Sequence, residues 1–120
     1  MNIRVLIVDD NPLFRRMERS MLEGHQQIEI CAEADNGEDA VTKARSLRPD
    51  VILMDISMPR MNGIEATRQI VSEFPQTKII IISQYDTAIV SRYASVYASA
   101  FLNKSDLDGN LISTITRLVN

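Results

Sequence analysis

Two runs of apolar residues, Val51-Ile52-Leu53-Met54 and Ile79-Ile80-Ile81-Ile82, constrain the fold most. A half-exposed strand alternates apolar with polar side chains, whereas an unbroken apolar run of this length reads as a strand buried on both faces. The first run ends in Asp55, which opens the string Asp55-Ile56-Ser57-Met58-Pro59-Arg60-Met61-Asn62-Gly63. A carboxylate followed by a Pro/Asn/Gly loop sits at a sheet edge, outside the core. A second acidic feature, Asp9-Asp10, follows Ile3-Arg4-Val5-Leu6-Ile7-Val8 in the same way. If the two strands are parallel, the three carboxylates converge on one edge. Such a cluster is a candidate site for an oxygen-loving cation and for chemistry at phosphorus.

Strand and helix signals alternate along the chain. Strands are predicted at 3–8, 28–32, 51–54, 78–83 and 100–103. Asn11 caps the first helix, with Pro12 at its first position, where a missing N–H costs nothing; Phe14, Met17 and Met21 form its stripe. Asn36-Gly37 starts the second helix, with Ala40, Val41, Ala44 and Leu47 on one face and Pro49 closing it. The third runs from about Gly63 to Phe74 and stops at Pro75, and the fourth covers 86–97. Ser105 with Asp108 has the spacing of a capping box for the fifth, whose stripe is Leu107, Leu111, Ile112, Ile115 and Leu118. Five strand–helix pairs with connections this short imply an α/β fold, a doubly wound parallel sheet covered on both faces. In such sheets ligands bind beyond the carboxyl ends of the strands. Those ends carry Asp9, Asp10, Asp55, Ser83 and Lys104.

At 120 residues the chain is expected to be one domain. Its net charge of −3 gives no electrostatic reason for direct nucleic-acid binding by this segment. The longest apolar runs are far below the length of a membrane span, and no signal-peptide pattern opens the chain. Cys31 is the single cysteine and lies in an apolar stretch. It reads as a small buried hydrophobe, with no internal disulfide, in a reducing cytoplasm.

Carboxylates gathered at one edge raise each other's pKa unless a cation neutralises them. Mg²⁺ suits an all-oxygen site and binds one or two carboxylates while keeping several waters. Asp10 and Asp55 are the expected direct ligands, with Asp9 acting directly or through water and the Ser57 backbone carbonyl adding an oxygen. A carboxylate is also a nucleophile able to form an acyl phosphate, which gives Asp55 its second role. Charge on the transferring oxygens needs fixed donors: Lys104 offers a point charge and Ser83 a hydroxyl. Each residue alone has an ordinary reading, as a turn former, a polar loop residue or an edge lysine. Asp9-Asp10 alone could merely favour the next helix through its dipole. The conjunction of acid, acid, hydroxyl and amine at four strand ends is what points to a site.

With these residues in place, the whole chain resembles the receiver domain of two-component response regulators. The resemblance rests on Val8-Asp9-Asp10-Asn11, Arg48-Pro49-Asp50-Val51 leading to Met54-Asp55, Met58-Pro59 with Met61-Asn62-Gly63, Ser83, and Phe101-Leu102-Asn103-Lys104. It implies a (βα)5 domain of flavodoxin-like topology with strand order 2-1-3-4-5. It implies Asp55 as phosphoacceptor, Asp9 and Asp10 as Mg²⁺ acids, Ser83 as phosphate-sensing hydroxyl, Phe101 as switch aromatic and Lys104 as phosphate-binding lysine. Phe14-Arg15-Arg16, Gly63-Ile64-Glu65-Ala66-Thr67-Arg68-Gln69-Ile70 and Lys104-Ser105-Asp106 are similar to receivers of the LuxR/NarL type. Those usually carry a C-terminal helix-turn-helix DNA-binding effector. The chain stops where a linker would begin, so a receiver fragment is the favoured expectation over a stand-alone regulator.

The expected partner is a histidine kinase that donates the phosphoryl group, and homodimerisation on phosphorylation is a second expectation. The expected class is a cytoplasmic signalling switch rather than an enzyme, promoting only its own phosphotransfer and dephosphorylation. Three other readings compete with this one. A Mg²⁺-dependent aspartyl-phosphate phosphohydrolase would carry two acids spaced two apart after the first strand, but Asp9 and Asp10 are adjacent and position 11 is Asn. A flavin-binding domain would need a Ser/Thr/Gly-rich phosphate loop there. A phosphate-independent interaction module is kept alive by the residues after Ser83. There Gln84 replaces a usual small residue, and Tyr97-Ala98-Ser99-Ala100 replaces a Gly-containing turn. Tyr93 and Tyr97 read as core residues, or else as part of a partner surface with Tyr85.

Overall fold

The computed structural model describes residues 2–120, together with their side chains except that of Tyr93, so the expectation for that tyrosine lies outside the described residues. Strands β1 (Ile3–Val8), β2 (Ile28–Ala34), β3 (Val51–Asp55), β4 (Lys78–Ser83) and β5 (Ala100–Asn103) alternate with helices. The helices are α1 (Pro12–Glu23), α2 (Gly37–Leu47), α3 (Gly63–Glu73), α4 (Thr87–Ala94) and α5 (Leu111–Val119). All strand pairs are parallel and the order is β2-β1-β3-β4-β5, as the resemblance implies. No helix among the described residues is long and apolar enough to cross a membrane.

The unbroken apolar runs explain the layering. Successive side chains of a strand point to opposite faces, so a central strand with both faces covered needs apolar residues throughout. Leu6, Val8, Ile52, Met54, Ile79 and Ile81 pack with Ala40, Ala44, Ala66, Ile70, Val90 and Ala94 on the face that α2, α3 and α4 cover. Val5, Ile7, Val51, Leu53, Ile80 and Ile82 pack with Leu22, Leu111 and Ile115 on the face that α1 and α5 cover.

The entries of α1 and α2 follow the predicted signals, and those of α3 and α4 use the same device. The side chains of Asn11, Asn36 and Asn62 cap α1, α2 and α3, and that of Asp86 caps α4. Helix α2 ends with Arg48 in the left-handed region (φ 49°), a common helix terminus, and Pro49 after it disfavours any further helical residue.

Four expectations need correction. Met17 is exposed, and Glu18 is buried in its place on the sheet-facing side of α1, one turn after Phe14 and one before Leu22. Cys31 is only half-buried: the register steps from Val5↔Ile30 to Leu6↔Ala32, so Cys31 is the extra residue of a β-bulge. Helix α4 stops at Ala94, with Ser95 in ordinary helical geometry; the turn that follows has no positive φ and is held by Ser99, whose amide donates to Ile79 O at 2.8 Å. The proposed capping box is absent. Ser105 lies in a 3-10 turn (Lys104–Asp106) and donates to Asn103 Oδ1, while Gly109 (φ 80°) separates that turn from α5.

Gly63 has a particular duty, since a Cβ built there would lie 1.9 Å from the carbonyl oxygen of Asp55. Gly24 is its opposite, with ordinary φ of −76° and nothing within 4 Å of an added Cβ. Gly63→Ala is expected to cost at least about 2 kcal/mol, and Gly24→Ala to stabilise by about 0.5 kcal/mol. Urea unfolding of the two variants checks both, and a Gly63→Ala protein as stable as wild type would contradict this packing.

Candidate functional site

Strand alternation decides which end residues share a side. Leu53 faces the α1/α5 layer and Met54 the other, so Asp55 returns to the α1/α5 side. The same alternation takes Asp9 there after Ile7, and Lys104 there after Leu102. Register completes the meeting: Val8 pairs with Met54, which sets Asp9 beside Asp55 on neighbouring strands. Lys104 reaches across the end of β4 from β5, roughly two strand spacings, or about 9.6 Å, which a long flexible stem can span.

One carboxylate oxygen from each of Asp9, Asp10 and Asp55 lies within 4.8 Å of the other two. Lys104 Nζ is 3.0 Å from Asp9 Oδ2 and 3.6 Å from Asp55 Oδ1. Asp9 is 1 % exposed, and its other oxygen accepts from the Asn11 amide at 2.9 Å. Asp10 is exposed. Burial first, and the Asp9 charge second, push the Asp55 carboxyl up to about 6, while Lys104 pulls the other way. For Lys104 burial lowers the pKa, but the hydrogen bond to Asp9 and the charges of Asp55 and Asp9 outweigh it and leave the lysine above its ordinary range. Three hard oxygen donors with surplus negative charge fit a divalent cation such as Mg²⁺.

Ser83 and Phe101 fall on the opposite side of the sheet. Ser83 is 2 % exposed and accepts from the Tyr85 amide at 2.9 Å. Phe101 pairs with Ile81, so it lies one alternation short of Ser83 on the next strand. It is half-buried against the cluster that contains Val90 and Ala94 of α4. Asn103 ties the two loops, its Nδ2 donating to Tyr85 O at 3.1 Å. An open cleft of about 170 Å³ is lined by Asp10, Asp55, Ser57, Ser83, Gln84 and Lys104, among others. Every residue expected at the site except Phe101 is therefore in the cleft or in contact with its lining, and Phe101 flanks it.

The signature of the response regulator receiver domain matches residues 5–116, and the chain belongs to that family. The transcriptional regulatory protein DegU of Brevibacillus brevis is 35% identical over 118 residues, which is 98% of this chain and 50% of that protein. A protein-glutamate methylesterase/protein-glutamine glutaminase of Alkalilimnicola ehrlichii is 46% identical over 116 residues, 92% of this chain and 30% of that protein. The crystal structure of a DNA-binding response regulator of the LuxR family from Staphylococcus aureus superposes with TM-score 0.91 at 28% identity, covering 98% of this chain and 99% of the other. The chain thus spans half the length of one curated relative and under a third of the other.

Sequence reasoning missed two residues that shape the site. Arg15 Nη1 donates to the Asp9 carbonyl at 2.7 Å while its Nε donates to Glu33 at 3.0 Å, bracing the end of β1. Glu18 is 2 % exposed, and burial, followed by the charge of Asp9, pushes its carboxyl up to about 9. Its signal was a charged residue spaced four from both Phe14 and Leu22, on the apolar face of the helix. Because the folded pKa is raised, native protein keeps a proton that the unfolded chain releases above about 4.5. The stability this contributes is complete below that pH and is lost as pH climbs through about 9. Glu18→Gln stays neutral throughout, so its stability relative to wild type should grow between pH 5 and 8, by as much as roughly 1 kcal/mol per pH unit. Denaturant unfolding across that range measures it, and equal pH slopes in the two proteins would refute the shift.

Proposed function

We propose that this chain is a phosphorylation switch in which Asp55 accepts a phosphoryl group from the phosphohistidine of a histidine kinase. The observation that carries the reading is Lys104 Nζ standing between Asp9 and Asp55 at 3.0 and 3.6 Å. Asp55 Oδ forms the new P–O bond while the P–N bond breaks, and the donor imidazole leaves with the bonding electrons. Asp9, Asp10 and Asp55, with the Ser57 carbonyl, would hold Mg²⁺, which when bound neutralises charge on the carboxylates and the phosphoryl oxygens. Lys104 donates a hydrogen bond from its ammonium to a phosphoryl oxygen, and the Ser83 hydroxyl, which accepts from the Tyr85 amide, turns to donate its proton to another. That inward movement of Ser83 leaves room for Phe101 to rotate, and the face of α4, β5 and α5 changes its affinity for a partner. It is a population shift, effective only where the partner binds one state better.

The natural beneficiary is a C-terminal DNA-binding effector of the helix-turn-helix kind, in keeping with the LuxR/NarL likeness and the transcriptional relative. On this reading residues 1–120 are the receiver portion of a longer cytoplasmic regulator. Homodimerisation on phosphorylation is a second output, and the domain itself touches neither DNA nor membrane.

Incubation with Mg²⁺ and acetyl phosphate should add one phosphoryl mass to wild type and none to Asp55→Ala, read by intact mass spectrometry. Equal gain in the two proteins, or gain in neither, contradicts the assignment. Multiple turnovers on a generic phosphomonoester would favour the phosphohydrolase instead.

A further inference from the structure

Lys104 has a third neighbour that none of the acidic chemistry explains. Its Nζ lies 4.2 Å from the centroid of the Phe14 ring. Four-fifths of the lysine side chain is out of solvent, its relative exposure being 20%. The ring is half-buried. Asn11 Oδ1 accepts from the Phe14 amide at 3.3 Å, and the side chain packs on the core cluster that contains Leu22, Leu111 and Ile115. One turn further on, Glu18 is buried on the same face of α1.

An aromatic face carries partial negative charge, and its attraction for a cation grows once both are desolvated. The carboxylate partners of Lys104 change during phosphotransfer. Asp55 ceases to be a free carboxylate when it bears a phosphoryl group, and Asp9 is shared with the cation. The ring keeps the same charge distribution in both states. An ammonium that must let go of Asp55 and meet a phosphoryl oxygen therefore has one contact that persists. Without it, the flexible four-carbon stem is held only by carboxylates whose charge the reaction redistributes.

We infer that Phe14 is a positioning residue for phosphotransfer, holding the Lys104 ammonium through a cation–π contact so that it faces the phosphoryl oxygens as Asp55 attacks. The inference rests on the phosphoacceptor reading of Asp55. With acetyl phosphate as donor, Asp55 Oδ forms a bond to phosphorus, the bond from phosphorus to the acyl oxygen breaks, and acetate leaves with the electron pair. Lys104 remains protonated throughout.

The test uses the whole chain with Mg²⁺ and acetyl phosphate, and compares wild type with Phe14→4-fluorophenylalanine, Phe14→3,5-difluorophenylalanine and Phe14→3,4,5-trifluorophenylalanine. Fluorines drain the ring face while leaving its shape nearly intact. The rate of phosphorylation should fall stepwise along the series, reaching about three- to tenfold in the trifluoro protein. Mg²⁺ affinity, measured by calorimetry, should stay constant. The ε-methylene protons of Lys104 should show an upfield ring-current shift by NMR that persists in Phe14→Tyr and vanishes in Phe14→Leu. A flat rate across the fluorinated series would make the ring mere packing and overturn the inference, leaving the phosphoacceptor reading untouched. A fall in Mg²⁺ affinity parallel to the rate would overturn it too, since the ring would then support the acids instead of the lysine. Wild type that takes up no phosphate would remove both readings together.

Discussion

Two buried carboxylates and one lysine, Asp9, Asp55 and Lys104, set the terms for everything around them. Asp9 is 1 % and Asp55 6 % exposed, so water does little to separate their charges. Their repulsion, added to burial, lifts Asp55 to about 6, and the ammonium of Lys104 opposes the rise. The lysine is the counter-ion standing between the two acids, at 3.0 and 3.6 Å. In the proposed function a divalent ion would take over that neutralisation and leave the lysine to meet a phosphoryl group. Acid pair and amine are thus two halves of one electrostatic balance.

The sheet divides the site between its two faces. Asp9, Asp55 and Lys104 belong to the side covered by α1 and α5, where Phe14 closes on the ammonium. Ser83 and Phe101 belong to the side covered by α4. Asn103 and Ser83 join the two loops between them, through the carbonyl and the amide of Tyr85 respectively. In the proposed switch, chemistry on one face is read on the other because Ser83 stands at the strand end between them. The long Gln84 and the exposed Tyr85 line that cleft beside Ser83.

One relative is named for transcriptional regulation and another for an esterase activity, yet both match this chain over nearly its whole length. What they hold in common is the receiver, and the chemistry of any effector is not written into it. That is why the acids, the hydroxyl and the lysine are readable from these residues while the output is not.

Much of this was legible in the chain itself. Unbroken apolar runs required strands buried on both faces, Asn11, Asn36, Pro49 and Pro75 marked four helix ends, and helices alternating with strands required parallel pairing; position alone then put the five polar residues at the carboxyl edge. What the chain could not reveal were facts of contact between distant segments. The capping box at Ser105 had the right spacing, but Asn103 took the serine hydroxyl and Gly109 broke the path to α5. Met17 satisfied the helical period, yet the docking angle of α1 buried Glu18 instead. The bulge at Cys31, the Phe14 ring against Lys104 and the division of the site between two faces depend on register and on how a helix lies across a sheet. Local sequence determines which groups reach the edge, because periodicity and capping act over a few residues. Only the packed structure decides which of them touch, because those distances are set by strands and helices far apart in the chain.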